Sequence, residues 1–418
     1  MKSFTKNVLD AEAKLSKVFS PTPLQFSEYL SEKYEANVYL KREDLSSVRS
    51  YKIRGAYHFI SNYLEESKEK KSDINFVCAS AGNFAQGFSL SCAKFGVNGK
   101  VFMPVTTPHQ KVSRTKDFGG KAIEVVLIGD TYDQAASAAK KFCKEHKAVY
   151  APPYDHEWTI EGAGTVGSEI GQQLSQVDFV FVPVGGGGLA SGISQFLLEN
   201  SPKTETIAVE PVGASSLTES LKLGKAVEMK KIDTFVDGAA VGSFGEKTLK
   251  ILKKTLRRKP ILIPENRLCQ TMLTFLHHDG IVLEPAGGLS IDALKDMDRK
   301  EIKGKTIVCV VSGGNFDFER LPDVKERAMK FSGHKKYFIL RLPQRPGALK
   351  EFLGLLGPND DISRFEYLKK SAKNFGSVLL GIETEDKKNF EILFSKMKKS
   401  GFEFTDVTND EILSDFVI

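Results

Sequence analysis

The chain has 418 residues, of which 41% are hydrophobic and 27% charged, and these proportions exclude a disordered, collagenous or fibrous protein. One domain takes roughly 100 to 200 residues, so the length allows two or three domains. The net charge of +6 is spread along the chain, and no basic block is interleaved with aromatic residues, so a nucleic-acid partner is not expected.

The amino-terminal segment and the cysteines indicate the compartment. Residues 1–19 mix lysines with acidic residues, and no apolar run in the chain reaches the length of a membrane span. We therefore expect a soluble cytoplasmic protein without a membrane partner. The cysteines are odd in number and lack CxxC spacing, and the histidines form no HExxH motif, so neither disulfides nor a metal site are expected. The cysteines are Cys78, Cys92, Cys143, Cys269 and Cys309.

From residue 37 to 311, short apolar strands alternate with amphipathic helical stretches, a pattern typical of parallel sheets covered by helices. The predicted strands are the stretches NVYL, INFVCA, KVFMPV, AIEVVLIG, DFVFVPV, TIAVE and KTIVCVV. The predicted helices are 54–67, 131–145, 189–198 and 266–278. This order predicts an α/β protein whose ligands bind beyond the carboxyl ends of the strands.

A second domain is predicted after the last of these strands. Residues 322–336 are charged and lack the alternation of strands and helices, which is typical of a connecting helix and linker. Beyond a boundary near 330, a strand over 337–342 precedes a helix over 346–355 that begins with proline. Two strands, a helix and a last strand follow. This order predicts a ferredoxin-like module.

Four consecutive glycines separate the strand DFVFVPV from an apolar helical stretch, namely Gly185, Gly186, Gly187 and Gly188. Such a loop turns sharply and brings backbone N–H groups and a helix amino terminus against a phosphate. A flexible linker is the alternative. Gly185, Gly187 and Ala190 also fit a loose dinucleotide fingerprint. With Glu210 as the ribose-binding acid, a nicotinamide-dependent oxidoreductase stays open.

Tyr51 and Lys52 lie in the stretch SYKIRG, after the strand NVYL and the charged turn KREDL. A lysine at a loop-to-helix junction beside an aromatic ring can be held in a partly desolvated pocket, where its neutral amine forms a Schiff base. On this pattern alone, one surface lysine among many is the simpler interpretation.

Two further loops follow predicted strands. The first comes after INFVCA and consists of Ser80, Ala81, Gly82 and Asn83. Its successive amides can bind a carboxylate, and the Asn83 side chain can donate to a phenolate oxygen; an N-cap with a tight turn is the alternative. The second comes after TIVCVV and begins with Ser312. Its hydroxyl can hydrogen-bond a ring nitrogen, or else serves the turn.

In this order the four elements resemble the pyridoxal-phosphate-dependent threonine dehydratases of the tryptophan-synthase-β-like fold. The resemblance spans nearly the whole chain and includes KREDL, SYKIRGAY, SAGN with AQG, FMPVTTP, KVSRTKDFGG, VVLIGDTYDQA, EGAGTVGSEI, AVEP, VDGAAV, LEPAGG and SGGN. It implies the cofactor pyridoxal 5′-phosphate and fold type II, with two open α/β subdomains. The catalytic domain is expected over 1–330, with its smaller subdomain near 50–155. Residues 331–418 resemble the ACT-like regulatory domain of the biosynthetic members, which is an α+β ferredoxin-like domain.

The resemblance also implies a role for each motif. Lys52 carries the cofactor as a Schiff base and removes the α-proton of the substrate. The other implied cofactor-binding residues are Tyr51, Asn83 at the ring oxygen, Glu284, Ser312 at the pyridine nitrogen, and Gly185, Gly186, Gly187, Gly188 and Leu189 at the phosphate. The substrate carboxylate is expected on the loop of Ser80, Ala81, Gly82 and Asn83.

The implied reaction is β-elimination of water from L-threonine, giving 2-oxobutanoate and ammonia at the first step of isoleucine biosynthesis. The Ser312 hydroxyl does not enforce full protonation of the pyridine, which favours elimination over transamination or racemisation. Ala81 also disfavours racemisation, because related serine racemases use a serine there as a second base. One position departs from the family, since Phe84 stands where histidine is usual. A dehydratase acting on both serine and threonine and a catalytically weakened isoleucine sensor are the alternatives.

The regulatory domain implies inhibition by isoleucine, with valine as a second effector. The stretch LPQRPGALKEFL offers amides around Arg345 and Gly347 for an amino-acid carboxylate. Its expected apolar neighbours are Phe352, Leu353 and Phe365. A domain that serves only oligomerisation is the alternative, because small sheets pair edge to edge. We expect a homodimer or homotetramer.

Overall fold

The structure, a computed structural model, describes residues 3–368 and 374–410. The chain forms two compact units, Met1–Asp317 and Phe318–Ile418. In the described ranges, no helix is long and apolar enough to cross a membrane.

The larger unit contains all the strands and helices predicted before residue 311, with bounds that differ by a few residues. Its strands are β1 (Leu24–Phe26), β2 (Asn37–Arg42), β3 (Asn75–Ala79), β4 (Asn98–Met103), β5 (Ile123–Leu127), β6 (Val149–Tyr150), β7 (Phe179–Pro183), β8 (Glu205–Pro211), β9 (Ile261–Ile263) and β10 (Thr306–Val311). Its helices are α1 (Phe4–Leu15), α2 (Glu28–Tyr34), α3 (Lys52–Glu66), α4 (Asn83–Phe95), α5 (His109–Gly119), α6 (Tyr132–His146), α7 (Glu157–Gln173), α8 (Gly188–Asn200), α9 (Ser216–Leu223), α10 (Glu246–Thr255), α11 (Glu265–His278), α12 (Pro285–Asp292) and α13 (Arg299–Ile302).

Two sheets organise this unit. The larger sheet has the strand order β1-β2-β10-β7-β8-β9, in which β1 is antiparallel to β2 and all other neighbours are parallel. The smaller sheet, β5-β4-β3-β6, is parallel throughout. Strands β7 and β10 are buried over nearly their whole length, which explains their continuous apolar sequences. The predicted α/β class is confirmed.

Each sheet has its own hydrophobic core. On the larger sheet, helices α7, α8 and α10 contribute Ile170, Ile193 and Leu252, all fully buried. On the smaller sheet, α3 and α4 contribute Ile60 and Phe88, which are also fully buried. This packing fixes the amino ends of α3 and α4, where Lys52 and Asn83 lie.

Some elements of this unit had no predicting pattern. Strands β1, β6 and β9 contain only two or three residues, too few for a recognisable period. Half of the residues of helix α1 are polar, and it buries only Val8, Ala11 and Leu15. Its start is nevertheless well defined, because the Ser3 side chain accepts the N–H of Lys6.

The smaller unit has the predicted element order. Its elements are α14 (Leu321–Ser332), β11 (Lys335–Pro343), α15 (Ala348–Leu353), β12 (Asp360–Leu368), β13 (Phe375–Thr384), α16 (Lys388–Lys399) and β14 (Glu403–Asp406). The strands pair antiparallel in the order β12-β13-β11-β14, which is the ferredoxin-like arrangement. Helix α14 covers residues 322–332 of the predicted linker, whose last two residues belong to β11, and α15 is shorter than the predicted 346–355.

Candidate active site

The start of α3 is joined to the loop after β10. The carbonyl of Ser312 accepts the N–H of Tyr51 at 3.1 Å, and Ser50 forms an antiparallel bridge with Gly313. These contacts place Lys52 beside the carboxyl end of the larger sheet, where ligands of α/β proteins bind.

Lys52 is the first residue of α3 and is partly buried. Its Nζ donates to the carbonyl of Pro153 at 3.2 Å and lies 5.1 Å from the centre of the Tyr51 ring. Among the described residues no carboxylate pairs with this amine, so it is available to react with a carbonyl compound.

Gly87 allows α4 to pass close to the start of α3. A Cβ at this position would lie 2.9 Å from the nitrogen of Ile53 and 3.0 Å from the carbonyl carbon of Lys52. The AQG motif is therefore the contact between the helix that carries Asn83 and the helix that carries Lys52.

Replacing Gly87 by alanine is expected to force these helices apart and lower the free energy of unfolding by about 1 to 3 kcal/mol. The matched control is Gly171→Ala on α7, where the added Cβ meets nothing within 4 Å and alanine favours a helix. Denaturant unfolding of both variants measures the difference. Equal stabilities would show that the crossing of α3 and α4 accommodates a methyl group.

The tetraglycine loop follows β7 and leads into α8. Gly187 has a φ of +88°, in the left-handed region that favours glycine. In the part of the chain that the structure describes, the backbone N–H groups of 185–189 have no protein acceptor. The loop therefore presents them, with the amino end of α8, to an anion.

Tyr154 forms one wall of this loop. A Cβ on Gly186 would lie 2.4 Å from the Tyr154 ring, and the tyrosine hydroxyl donates to a backbone carbonyl at 2.8 Å. Asp155 accepts backbone N–H groups at the start of α10, one of them at 2.9 Å. Since Lys52 donates to the carbonyl of Pro153, residues 153–155 connect the lysine to the glycine loop. No motif in the sequence indicated this link.

The position of Glu210 shows that the dinucleotide interpretation is wrong. Glu210 is fully buried, and its carboxylate accepts the N–H of Leu217 at 2.7 Å and that of Thr218 at 2.9 Å. Burial raises the pKa of this carboxyl to about 7. A ribose-binding acid faces the cleft, whereas Glu210 caps α9 inside the protein.

The loop after β3 also presents free amides. The hydroxyl oxygen of Ser80 accepts the N–H of Gly82 at 3.2 Å, which fixes the turn before α4. Within the described ranges, the N–H groups of Ala81, Asn83 and Phe84 have no protein acceptor. Three such amides at a helix start suit a carboxylate.

Asn83 and Glu284 contact each other directly. The Nδ2 of Asn83 lies 2.7 Å from Oε1 and 3.0 Å from Oε2 of Glu284. A Cβ on Gly313 would lie 2.2 Å from this carboxylate, so the first glycine of SGGN is needed to leave room for the Glu284 side chain. Burial, assisted by the charge of Asp237, raises the pKa of the Glu284 carboxyl to about 7.

The raised pKa of Glu284 predicts a pH effect on the stability of the cofactor-free protein. A carboxyl that ionises less readily in the folded chain stabilises the fold below its unfolded pKa, and this contribution is lost as the pH rises to about 7. Relative to Glu284→Gln, the parent is expected to lose about 3 kcal/mol between about pH 4 and about pH 8. Urea unfolding across this pH range measures the difference in the free energy of unfolding between the parent and Glu284→Gln. A difference that does not change with pH would contradict the raised pKa of Glu284.

Phe84, the departure from the family pattern, lies in the core of the smaller sheet. Its side chain is 3% exposed, and its ring centre is 6.4 Å from that of Phe88. The ring therefore contributes to the packing of this core beside the site.

A buried ionic network was not predicted. The KREDL motif was expected to be a charged turn, but Lys41 and Glu43 are fully buried. Arg54 donates to Glu43 at 2.8 and 2.9 Å and to Glu169 at 2.6 and 2.8 Å. Lys41 also donates to Glu169, at 2.6 Å. The network joins β2, α3 and α7 within the first turn of the helix that Lys52 begins.

The glycines of EGAGTVGSEI serve helix packing. A Cβ on Gly162 would lie 2.5 Å from the carbonyl oxygen of Arg54, and a Cβ on Gly192 would lie 2.6 Å from the nitrogen of Gly164. Helix α7 therefore crosses α3 and α8 at backbone contact, which holds the start of α3 in place.

The residues predicted to bind an effector differ in exposure. Arg345 forms an ion pair with Glu351 at 2.5 Å, and Gly347 precedes the short helix α15 with a φ of +86°. Phe365 is 38% exposed. Phe352, in contrast, is fully buried and lies 6.0 Å from the Phe402 ring. The ring of Phe352, expected as an apolar neighbour of the effector, belongs to the core of the smaller unit.

Comparisons with known proteins agree with this arrangement. A family profile described as "Pyridoxal-phosphate dependent enzyme" matches residues 15–313, and one described as "C-terminal regulatory domain of Threonine dehydratase" matches residues 326–417. The biosynthetic L-threonine dehydratase of Halalkalibacterium halodurans is 46% identical over 415 residues, which cover 99% of each chain. That of Bacillus subtilis is 46% identical over 418 residues, covering 99% of this chain and 97% of the relative.

A solved structure shares the fold of most of the chain. The processed form of threonine deaminase isoform 2 from Solanum lycopersicum has a TM-score of 0.73 and 36% identity, covering 78% of this chain and 93% of that chain. The residues fit the cofactor of this family, because a lysine amine, unpaired loop amides and the buried Ser312 meet the needs of its aldehyde, phosphate and ring nitrogen. The chain therefore belongs to the pyridoxal-phosphate-dependent enzymes of fold type II, and it carries the regulatory domain of the threonine dehydratases.

Proposed function

We propose that the chain is an L-threonine ammonia-lyase, which converts L-threonine into 2-oxobutanoate and ammonia at the first step of isoleucine biosynthesis. The position of Lys52 carries the proposal. The N–H of its neighbour Tyr51 donates a hydrogen bond to the carbonyl of Ser312. Its own amine donates to the carbonyl of Pro153, which precedes Tyr154 at the glycine loop. Full-length similarity to biosynthetic dehydratases supports threonine as the substrate.

Each part of the site has a task in this proposal. Lys52 holds the cofactor covalently through its ε-amine. The amides of 185–189 bind its phosphate, and Ser312 donates to or accepts from its ring nitrogen. Tyr51 lies beside the amine, while Asn83 donates to the ring oxygen and Glu284 orients that amide. The open amides of the loop after β3 bind the carboxylate of threonine.

These residues would divide the reaction between them. Bound pyridoxal phosphate supplies an electron-withdrawing ring that stabilises negative charge at the substrate α-carbon. Once its amine is free, Lys52 removes the α-proton. The amides after β3 keep the carboxylate still while the β-hydroxyl takes up a proton and leaves as water. The enamine that is released then reacts with water to give 2-oxobutanoate and ammonia. Ala81 offers no second base on the opposite side, so elimination is favoured over racemisation.

The substrate is tested by comparing kcat/KM for L-threonine and L-serine, with 2-oxobutanoate and pyruvate as the measured products. One methyl group distinguishes the substrates, and such a group is worth about 10- to 200-fold in specificity. We expect threonine to be preferred within this range. A preference for serine would contradict the threonine assignment, and isoleucine binding without ammonia release would identify a sensor.

Regulation and assembly belong to the same proposal. Isoleucine is proposed as the inhibitor and valine as a second effector, since the smaller unit matches a threonine dehydratase regulatory domain. Arg345, Gly347, Phe352 and Phe365 are the proposed contacts, and a homodimer or homotetramer is the proposed assembly. The cysteines are all free thiols, which supports a cytoplasmic location.

A further inference from the structure

Two residues without an assigned role, Arg114 and Asn315, are connected to Asn83 by hydrogen bonds. Arg114 lies on α5, which packs against α4 and β5 of the smaller sheet, and its Nη1 donates to Oδ1 of Asn315 at 2.8 Å. Asn315 follows β10 of the larger sheet, and its Nδ2 donates to Oδ1 of Asn83 at 2.7 Å. The hydrogen bonds therefore run from α5, beside the smaller sheet, to the loop after β10 of the larger sheet, and return to the Asn83 amide at the start of α4.

The chemistry of the end groups fixes which way each amide points. A guanidinium only donates, so the oxygen of Asn315 has to face Arg114. The carbonyl of Val48 only accepts, and it takes a hydrogen of Asn315 Nδ2 at 2.8 Å. Once Asn315 is oriented, the oxygen of Asn83 has to face Asn315. The nitrogen of Asn83 then faces the carboxylate of Glu284, which accepts at 2.7 Å.

The charged guanidinium of Arg114 donates its hydrogen bond to a neutral amide, that of Asn315. In the described part of the chain no carboxylate pairs with Arg114, whereas Lys111, on the same helix, pairs with Asp237 at 2.5 Å. A charged donor makes a stronger hydrogen bond than a neutral one. The guanidinium therefore holds the partly buried Asn315 in one orientation against exchange with water.

We propose that Arg114 and Asn315 are positioning residues, which keep the nitrogen of the Asn83 amide turned towards the cofactor ring. The inference rests on the proposed function, in which Asn83 donates to the ring oxygen. Rotation of the amide by half a turn would set its oxygen against the Glu284 carboxylate and against the cofactor oxygen. Both contacts would be repulsive, and the donor for the ring oxygen would be lost.

The variants Arg114→Met and Asn315→Asp test this. The first removes the donor that orients Asn315, and the second keeps an acceptor for Arg114 but sets an oxygen against Oδ1 of Asn83. Each is expected to weaken pyridoxal phosphate binding about tenfold. Each is also expected to reduce the cofactor absorbance at about 410 nm in favour of a shorter-wavelength band, because a donor to the ring oxygen stabilises its anionic form.

Two further variants separate positioning from a loss of folding. Arg114→Lys retains a charged donor and is expected to recover part of the affinity and of the absorbance. Lys116→Met removes an exposed charge from the same helix and is expected to leave both unchanged. In an Asn83→Ala background, Arg114→Met is expected to have no additional effect, since the group it positions is gone.

Other outcomes would overturn the proposal. An unchanged absorbance and affinity with a raised KM for threonine would show that Arg114 contacts the substrate instead. Effects of Arg114→Met and Asn83→Ala that add up in full would show independent action. These readouts need only the bound cofactor, so failure of the threonine assignment would appear in the substrate comparison and leave them interpretable.

Discussion

Replacing Arg54 by methionine is expected to lower the free energy of unfolding of the larger unit by about 3 to 5 kcal/mol. Methionine fills much of the same space, so the loss comes from charge and hydrogen bonding. Without the guanidinium, Glu43 loses its hydrogen bonds at 2.8 and 2.9 Å while it stays fully buried. A buried carboxylate without a cation is among the most unfavourable groups in a protein interior.

The network is stable because its charges balance. Lys41 and Arg54 face Glu43 and Glu169, two cations and two anions. Burial opposes ionisation of Glu169, but Arg54 and Lys41 outweigh it and hold the pKa of its carboxyl below the usual value. Removing one cation leaves one carboxylate in excess, which must take up a proton or draw in water.

Denaturant unfolding of Arg54→Met, followed through the larger unit, measures this loss. The control is Lys303→Met, which breaks the pair with Glu35, where both side chains are about two-thirds exposed, at 66% and 65%; such pairs contribute little. The double variant Arg54→Met with Glu43→Gln is expected to recover part of the stability, since it removes the uncompensated charge. If Arg54→Met were no less stable than Lys303→Met, the network would not support the fold.

The network also shows which features of the fold cannot be predicted from the sequence. Apolar runs such as DFVFVPV and TIVCVV determine buried parallel strands, and the loops after them were correctly placed at one sheet edge. Lys41 and Glu43 carry no such signal, because a buried charge and a surface charge are the same letters. Their burial depends on Glu169, more than a hundred residues away, which pairs with Lys41 directly and is joined to Glu43 through Arg54 only after the chain has folded.

Glycines illustrate the same limit inside the site. The sequence predicts that the tetraglycine loop binds a phosphate, and the unpaired amides of the loop support this proposal. The sequence did not reveal that the Tyr154 ring occupies the space where a side chain of Gly186 would lie. Nor did it reveal that a side chain at Gly87 would collide with the backbone of Lys52. The orientation of the Asn83 amide depends on Arg114, through Asn315. The motifs therefore identify the functional groups of the site, whereas contacts between segments that are far apart in the sequence determine how these groups are oriented.

Replacing Lys52 by alanine is expected to lower kcat/KM for threonine by at least about 10⁴-fold, because one change removes both the covalent attachment and the base for the α-proton. The stability is expected to stay close to that of the parent. The Lys52 amine makes one hydrogen bond, to the carbonyl of Pro153, and contacts the Tyr51 ring, so little is lost with it. Alanine is also a strong helix former at the first position of α3. A loss of activity with an intact fold therefore reports on chemistry.

The attachment point is identified independently of activity. Borohydride reduction of the parent followed by peptide mapping is expected to label Lys52, and the alanine variant is expected to carry no label. The unpaired amides of 185–189 remain in the variant, so it should still bind the cofactor, non-covalently and through the phosphate. Small primary amines added to the variant are expected to restore part of the turnover, since they supply the missing base. A label on another lysine, or a variant as active as the parent, would show that the reacting amine lies elsewhere.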